Sequence, residues 1–128
     1  MFSIDLKVRD YECDLQGVVN NAIYQHYMEH ARHEFLHSIN VNFAELAAQE
    51  INLMVLKAEL EYKAPLKPGD DFYITVEIVR ESRIKYAFVQ NLYRKTDDQL
   101  MVKSKFIGVA VNAKGRPMAF EPFDELLS

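Results

Sequence analysis

From Phe2 to Arg9, apolar side chains take the even positions (Phe2, Ile4, Leu6, Val8) and polar or charged ones the odd (Ser3, Asp5, Lys7, Arg9). A period of two predicts a strand with one buried face. The alternation stops at Asp10 to Gly17. Beyond it Asn20 and Asn21 offer capping side chains, and apolar residues recur at Tyr24, Met28, Ala31 and Phe35, which places them on one face of a helix over about Val19 to His37. A further turn of helix is expected around Phe43 and Leu46. After Glu50 the period of two returns, with Leu56, Ala58, Leu60 and Tyr62 opposing Lys57, Glu59, Glu61 and Lys63, until Pro65 to Asp70 ends the strand. Three more strands follow, marked by Phe72 to Ile78, by Ile84 to Leu92 and by Leu100 to Val111, with Thr96 to Gln99 as the turn before the last. Asn112 to Pro117 closes the sheet, and Glu121 to Leu127 is long enough for a helical turn.

One strand, one long helix and four strands, joined by short connections, define an α+β domain over residues 1–128 with an antiparallel sheet. A single helix cannot cover a five-stranded sheet from edge to edge. An apolar rim is therefore expected, and a second copy is the economical cover, so a homodimer or homotetramer is predicted. Hydrophobic residues make up 49% and charged residues 27%, yet no apolar run approaches the ~20 residues of a membrane span. No export signal is visible at the start, and the one cysteine, Cys13, offers no disulfide framework. A cytoplasmic setting is expected. The net charge of −4 without a long basic stripe argues against a nucleic-acid partner.

The candidate chemistry lies just before the long helix. Asp14 sits in a loop beside backbone N–H groups that have no partner within the helix. A carbonyl oxygen bound to those donors would have its developing charge stabilised, while Asp14 attacks the carbonyl carbon or activates a water. Acyl transfer suits such an arrangement. The other reading of Asp14 is a loop aspartate satisfied by neighbouring N–H groups. Cys13 has no histidine in its loop to activate it, so a packed thiol is expected. His26, His30, His33 and His37 share one helical stripe that could offer metal ligands. Counted at ~100° per residue, the stripe lies opposite Tyr24, Met28, Ala31 and Phe35, so a solvated or subunit-facing row is expected and no metal is invoked. Tyr24, Tyr27, Phe35, Tyr62, Tyr86 and Phe88 are candidates for an acyl pocket, most of them serving as core.

The pattern Asp14-x-x-Gly17-x-Val19-x-Asn21-x-x-Tyr24, with Glu29-x-Ala31-Arg32 downstream and Leu60-x-Tyr62-x-x-Pro65-x-x-x-Gly69-Asp70 later, resembles the 4-hydroxybenzoyl-CoA thioesterase-like branch of the hotdog-fold superfamily. The resemblance extends over essentially the whole chain. It implies a five-stranded antiparallel sheet wrapped around one long central helix and hydrolysis of an acyl-CoA thioester without a cofactor. By position, it makes Asp14 the catalytic carboxylate and the Asn21 backbone N–H the donor to the thioester carbonyl. It places Gly17, Val19 and Tyr24 around the substrate. Several relatives carry a histidine where this chain has Asn21 or Val18, so a role for imidazole at those places is not carried over. Arg83 and Lys85 lie in a strand region that, in the family, helps to hold the nucleotide of coenzyme A. Their alternative is an exposed strand decorated with solubilising cations. The resemblance also leaves open an acyl-carrier-protein thioesterase and a non-catalytic acyl-CoA-binding protein.

Overall fold

The alternating segment Phe2–Lys7 forms strand β1, an edge of one antiparallel sheet in a computed structural model that describes residues 1–128. Its apolar positions are half-buried and its polar ones exposed, and Phe2 to Lys7 register against Val76 to Asp71 of strand β3 (Asp71–Arg80). Helix α1 spans Asn21–Ser38. It starts two residues later than the sequence suggests, because Val19 is held in an extended bridge to Cys13 and Asn20 (φ −64°, ψ 138°) caps the helix, its side chain accepting from Ala22 N–H.

At the other end the N–H groups of Asn40 and Val41 donate to the carbonyls of His37 and Leu36, and Asn40 takes φ 64°. That is a Schellman closure with asparagine in the left-handed position. Helix α2 (Phe43–Ala48) begins immediately afterwards under an Asn42 cap. Strand β2 (Asn52–Tyr62) follows, then β3, β4 (Lys85–Arg94) and β5 (Gln99–Val111). The expected five strands are joined by a two-residue strand β6 (Pro117–Met118) on β5, and helix α3 (Glu121–Leu127) closes the chain.

The sheet order is β1-β3-β4-β5-β2, so α1 and α2 carry the chain from one edge to the other. Tyr24, Met28, Ala31 and Phe35 are all buried, joined by Tyr27 and Leu36, and pack onto Phe72, Ile74 and Val76 of β3, Leu92 of β4 and Phe106 of β5 in one core. The four histidines of α1 are exposed, as expected from the helical face they occupy.

Strand β2 departs from its alternation. Apart from Leu53 and Leu60 it is exposed throughout, with Met54, Val55 and Leu56 each about half exposed. It is an edge strand, bonded only to β5, and a register shift between Val55 and Lys57 bulges Leu56 out. Gly108 of β5 makes the bulge possible: a Cβ there would meet the Met54 carbonyl oxygen at 3.0 Å.

Candidate active site

Asp14 is presented by a tight turn. The bridge between Cys13 and Val19 closes the turn, Asp14 N–H donates to Val18 O (2.9 Å), and Gly17 N–H donates to Asp14 O (3.0 Å). Gly17 takes φ +75°, which explains glycine at that motif position. One Asp14 carboxylate oxygen accepts from Gln16 N–H at 2.8 Å, and the side chain otherwise stands exposed. The loop is moored on two sides. Val19 N–H donates to Leu66 O (2.9 Å), and Asn20 N–H donates to Glu12 O (3.1 Å).

At the adjoining helix start, Ala22 N–H is taken by the Asn20 side chain and Ile23 N–H by Asn20 O. Asn21 N–H makes no hydrogen bond within the chain. It is an unpartnered donor at the positive end of an 18-residue helix. Asp14, Gln16, Asn20 and Asn21 share a pocket of about 430 Å³ with Tyr62 at the end of β2 and Lys63 just beyond it. Asp14 and Asn21, whose N–H is free, thus line one concavity, a pairing of groups that acyl transfer to water can use.

Other motif residues line the pocket while serving the fold. Val19 is buried and in the bridge; Tyr24 is buried, its hydroxyl accepting from Leu66 N–H at 2.9 Å, which pins the segment after β2 to α1. Burial holds the Tyr24 hydroxyl above the ordinary tyrosine range. Cys13 lies in the same loop, but burial and the carboxylates of Asp10, Glu12 and Asp14 push its thiol up, away from the nucleophilic thiolate.

Arg83 and Lys85 are not brought to this pocket. They stand exposed at the β3–β4 turn, where Arg83 O accepts from Arg80 and Lys85 N–H donates to the Ser82 hydroxyl. Asp14 adjoins the opposite end of β3, and a strand of this length spans on the order of 30 Å. Arg80, the third cation of that group, is paired with Asp124 of α3 at 2.7 Å.

Two features escape sequence reasoning. Glu12 is 7% exposed, and one of its carboxylate oxygens accepts both the Tyr27 hydroxyl (2.7 Å) and Arg9 N–H (2.8 Å). Burial first, then this bond, lifts the Tyr27 hydroxyl far above its usual range. The second is an apolar cavity of about 160 Å³ lined by α1, α2, β2, β4, β5 and α3, with nine hydrophobic lining residues and, from α1, Glu29, Arg32 and His33. Arg32 donates to Gln90 Oε1 (3.0 Å) and stacks on Phe106, 4.2 Å from the ring centroid. Burial lowers its pKa to about 10, against the attraction of Glu29. Within one chain, this cavity and the Asp14 pocket share no lining residue.

A long helix packed on an antiparallel sheet of order β1-β3-β4-β5-β2, with a loop carboxylate before its N-terminus, is a hotdog fold. A 1,4-dihydroxy-2-naphthoyl-CoA thioesterase from Synechocystis has the same fold, with a TM-score of 0.90 over 96% of this chain and 92% of that one at 17% identity. Residues 8–127 match the family model described as the thioesterase-like superfamily, and the chain belongs to that family. It is 36% identical over 115 residues to the acyl-acyl carrier protein thioesterase ATL3, chloroplastic, of Arabidopsis thaliana, covering 90% of this chain and 60% of that protein. It is 30% identical over 122 residues to the acyl-CoA thioesterase YbgC of Haemophilus influenzae, covering 93% and 88%. No helix is long and apolar enough to cross a membrane.

Proposed function

We propose that this chain hydrolyses an acyl thioester, with acyl-CoA as the substrate and Asp14 as the catalytic carboxylate. The observation that carries the proposal is the shared pocket of Asp14 and the unpartnered Asn21 N–H. The thioester oxygen accepts from Asn21 N–H at the helix terminus, which stabilises the charge that grows there as the carbonyl carbon becomes tetrahedral. Asp14 either attacks that carbon, giving an anhydride that water then opens, or takes a proton from the attacking water. The thiol leaves and the acid remains. Membership of a thioesterase family supports this reading over a purely binding role. A carrier-protein thioester is the second reading, favoured by the 36% identity to ATL3. Both carriers present the same phosphopantetheine arm.

A homodimer completes the site in this reading. The exposed β2 edge is self-complementary when two copies pair antiparallel about Ala58, because Lys57 then faces Glu59 of the second copy, twice over. The same register sets Tyr62, from the Asp14 pocket, beside Met54 of the second copy, which lines its apolar cavity. The reacting carbonyl would lie in one subunit and the acyl tail in the other. Arg83 and Lys85 are proposed to hold the nucleotide end from a neighbouring subunit.

Asp14→Asn tests the centre of the proposal, since it keeps the side chain's shape and hydrogen bond to Gln16 but removes nucleophile and base. We expect folding and oligomer unchanged and kcat on acyl-CoA or acyl-carrier substrates lowered by about 10²-fold or more. Wild-type turnover in the variant would overturn the assignment.

A further inference from the structure

We infer that α3 is a displaceable lid, held shut through Asp124 over the β4 end of the apolar cavity and pushed aside by a chain that outgrows the closed space. That the occupant is an acyl chain rests on the proposed hydrolase; the lid itself follows from how α3 is attached. The cavity runs across the sheet. Met54 and Val55 of β2, each about half exposed, form one end, Gly108 and Val109 of β5 lie between, and Tyr86 and Phe88 of β4 form the other, two strand spacings or about 10 Å away. α3 contributes one side chain to the lining, Phe123, and sets it at the β4 end, edge-on to Tyr86 (ring centroids 4.9 Å apart) and Phe88 (5.7 Å). A chain entering from the exposed β2 edge therefore ends against Phe123. The closed volume of about 160 Å³ has room for a group of roughly benzene's size.

Side chains alone hold α3 in place. It has seven residues, and no backbone hydrogen bond joins it to the sheet or to α1. Phe120 N–H, at its cap, donates to the Tyr86 hydroxyl (3.0 Å), and that hydroxyl donates to Asp124 Oδ1 (2.9 Å). The same oxygen accepts from Arg80 at 2.7 Å. One carboxylate oxygen thus gathers both ties between α3 and the sheet. The side chains of Arg80 and Asp124 are 37% and 36% exposed, so water replaces each partner when the tie opens and no charge is left buried. Beneath them Phe123 is 3% exposed. Lifting it uncovers apolar surface, and a chain lying against Tyr86 and Phe88 in its place covers that surface again. An element tied this way opens at a lower free energy than the sheet beneath it, as lids over binding sites do.

The test follows backbone hydrogen exchange of α3 in the intact protein, free and saturated with butyl or dodecyl pantetheine thioether. Both compounds carry the arm common to the two carriers and cannot be hydrolysed, and their affinities are read by titration calorimetry. We expect α3 to be protected in the free protein and with the butyl compound. With the dodecyl compound its exchange should rise about tenfold or more while α1 and β4 stay protected. Asp124→Ala should raise α3 exchange by a similar factor without ligand and strengthen dodecyl binding relative to butyl, because the chain no longer has to break the tie. Should Asp124→Ala fail to fold, Asp124→Asn, which keeps the size and loses the charge, should move both readouts in the same direction by less. Three results would each overturn the inference: an unprotected α3 in the free wild type, equal α3 protection with either compound bound, or dodecyl binding that neither variant improves relative to butyl. Turnover of thioesters by a protein whose α3 never responds removes the lid and leaves the hydrolase standing. An α3 that responds to the dodecyl chain, with no turnover on any carrier, supports the lid and removes the hydrolase.

Discussion

Glu12 shows how a single buried side chain can govern a site that it does not enter. Its carboxylate is bonded to Tyr27 on α1, and its backbone oxygen accepts Asn20 N–H, next to the free donor of Asn21. The Asp14 loop and the helix start are thus tied through one residue two positions before Asp14. Tyr27→Phe removes a donor from a buried carboxylate, which costs about 1–3 kcal/mol. The denaturation midpoint should fall accordingly, and kcat should fall while KM changes little, because the loop carrying Asp14 is loosened and the binding walls are not. A variant with the stability loss and an unchanged kcat would reduce Glu12 to a purely structural role. Nothing in the local sequence marks this pair, since its partners are fifteen residues apart and meet only when the loop folds back on the helix.

At the scale of elements, β2 separates what periodicity can and cannot say. Its sequence alternates, yet Leu56 and Tyr62 stay exposed because α1 lies nearest β3 and β1, at the opposite edge of the sheet, and β2 has one neighbour. Within the chain Lys57 and Glu59 make an exposed ion pair at 3.3 Å, an interaction worth little that leaves both free to re-pair across an interface. Lys57→Glu places like charges opposite each other twice in the proposed dimer. The dimer dissociation constant should rise roughly tenfold or more, read by sedimentation or light scattering over a dilution series. Combining it with Glu59→Lys should restore association. A dimer indifferent to both changes would place the interface elsewhere on the molecule.

The whole molecule should be sensitive to alkali. Tyr24, Tyr27 and Tyr86 are held above the ordinary tyrosine value of 10.0, in each case chiefly by burial. A raised pKa means that, above pH 10 or so, the unfolded chain releases protons that the folded chain retains. The stability these groups contribute is therefore complete below that pH and is lost as pH rises through their folded-state values. Melting temperature should be flat across neutral pH and fall steadily on the alkaline side, together with late tyrosinate absorbance. Tyrosines that all ionise at their ordinary pH in the folded protein would contradict the packing of α1 on the sheet.

Sequence periodicity by itself determined the element order, the buried face of α1 and the exposure of the histidine row, because each depends on residues that are neighbours along the chain. The motif likewise put Asp14 in a loop, Gly17 in its turn and Asn21 at the helix start, since a cap and a tight turn are local devices. Tertiary structure alone decided which concavity each residue reaches. It left Arg83 and Lys85 at the far end of β3 from Asp14, set Val19 and Tyr24 to mooring the loop, and buried Glu12. It also gathered Arg32, Gln90 and Phe106 from three elements around an apolar cavity. Those relations depend on contacts between distant segments, and a one-dimensional pattern carries the spacing of residues along a strand or helix but not which distant segment packs against it.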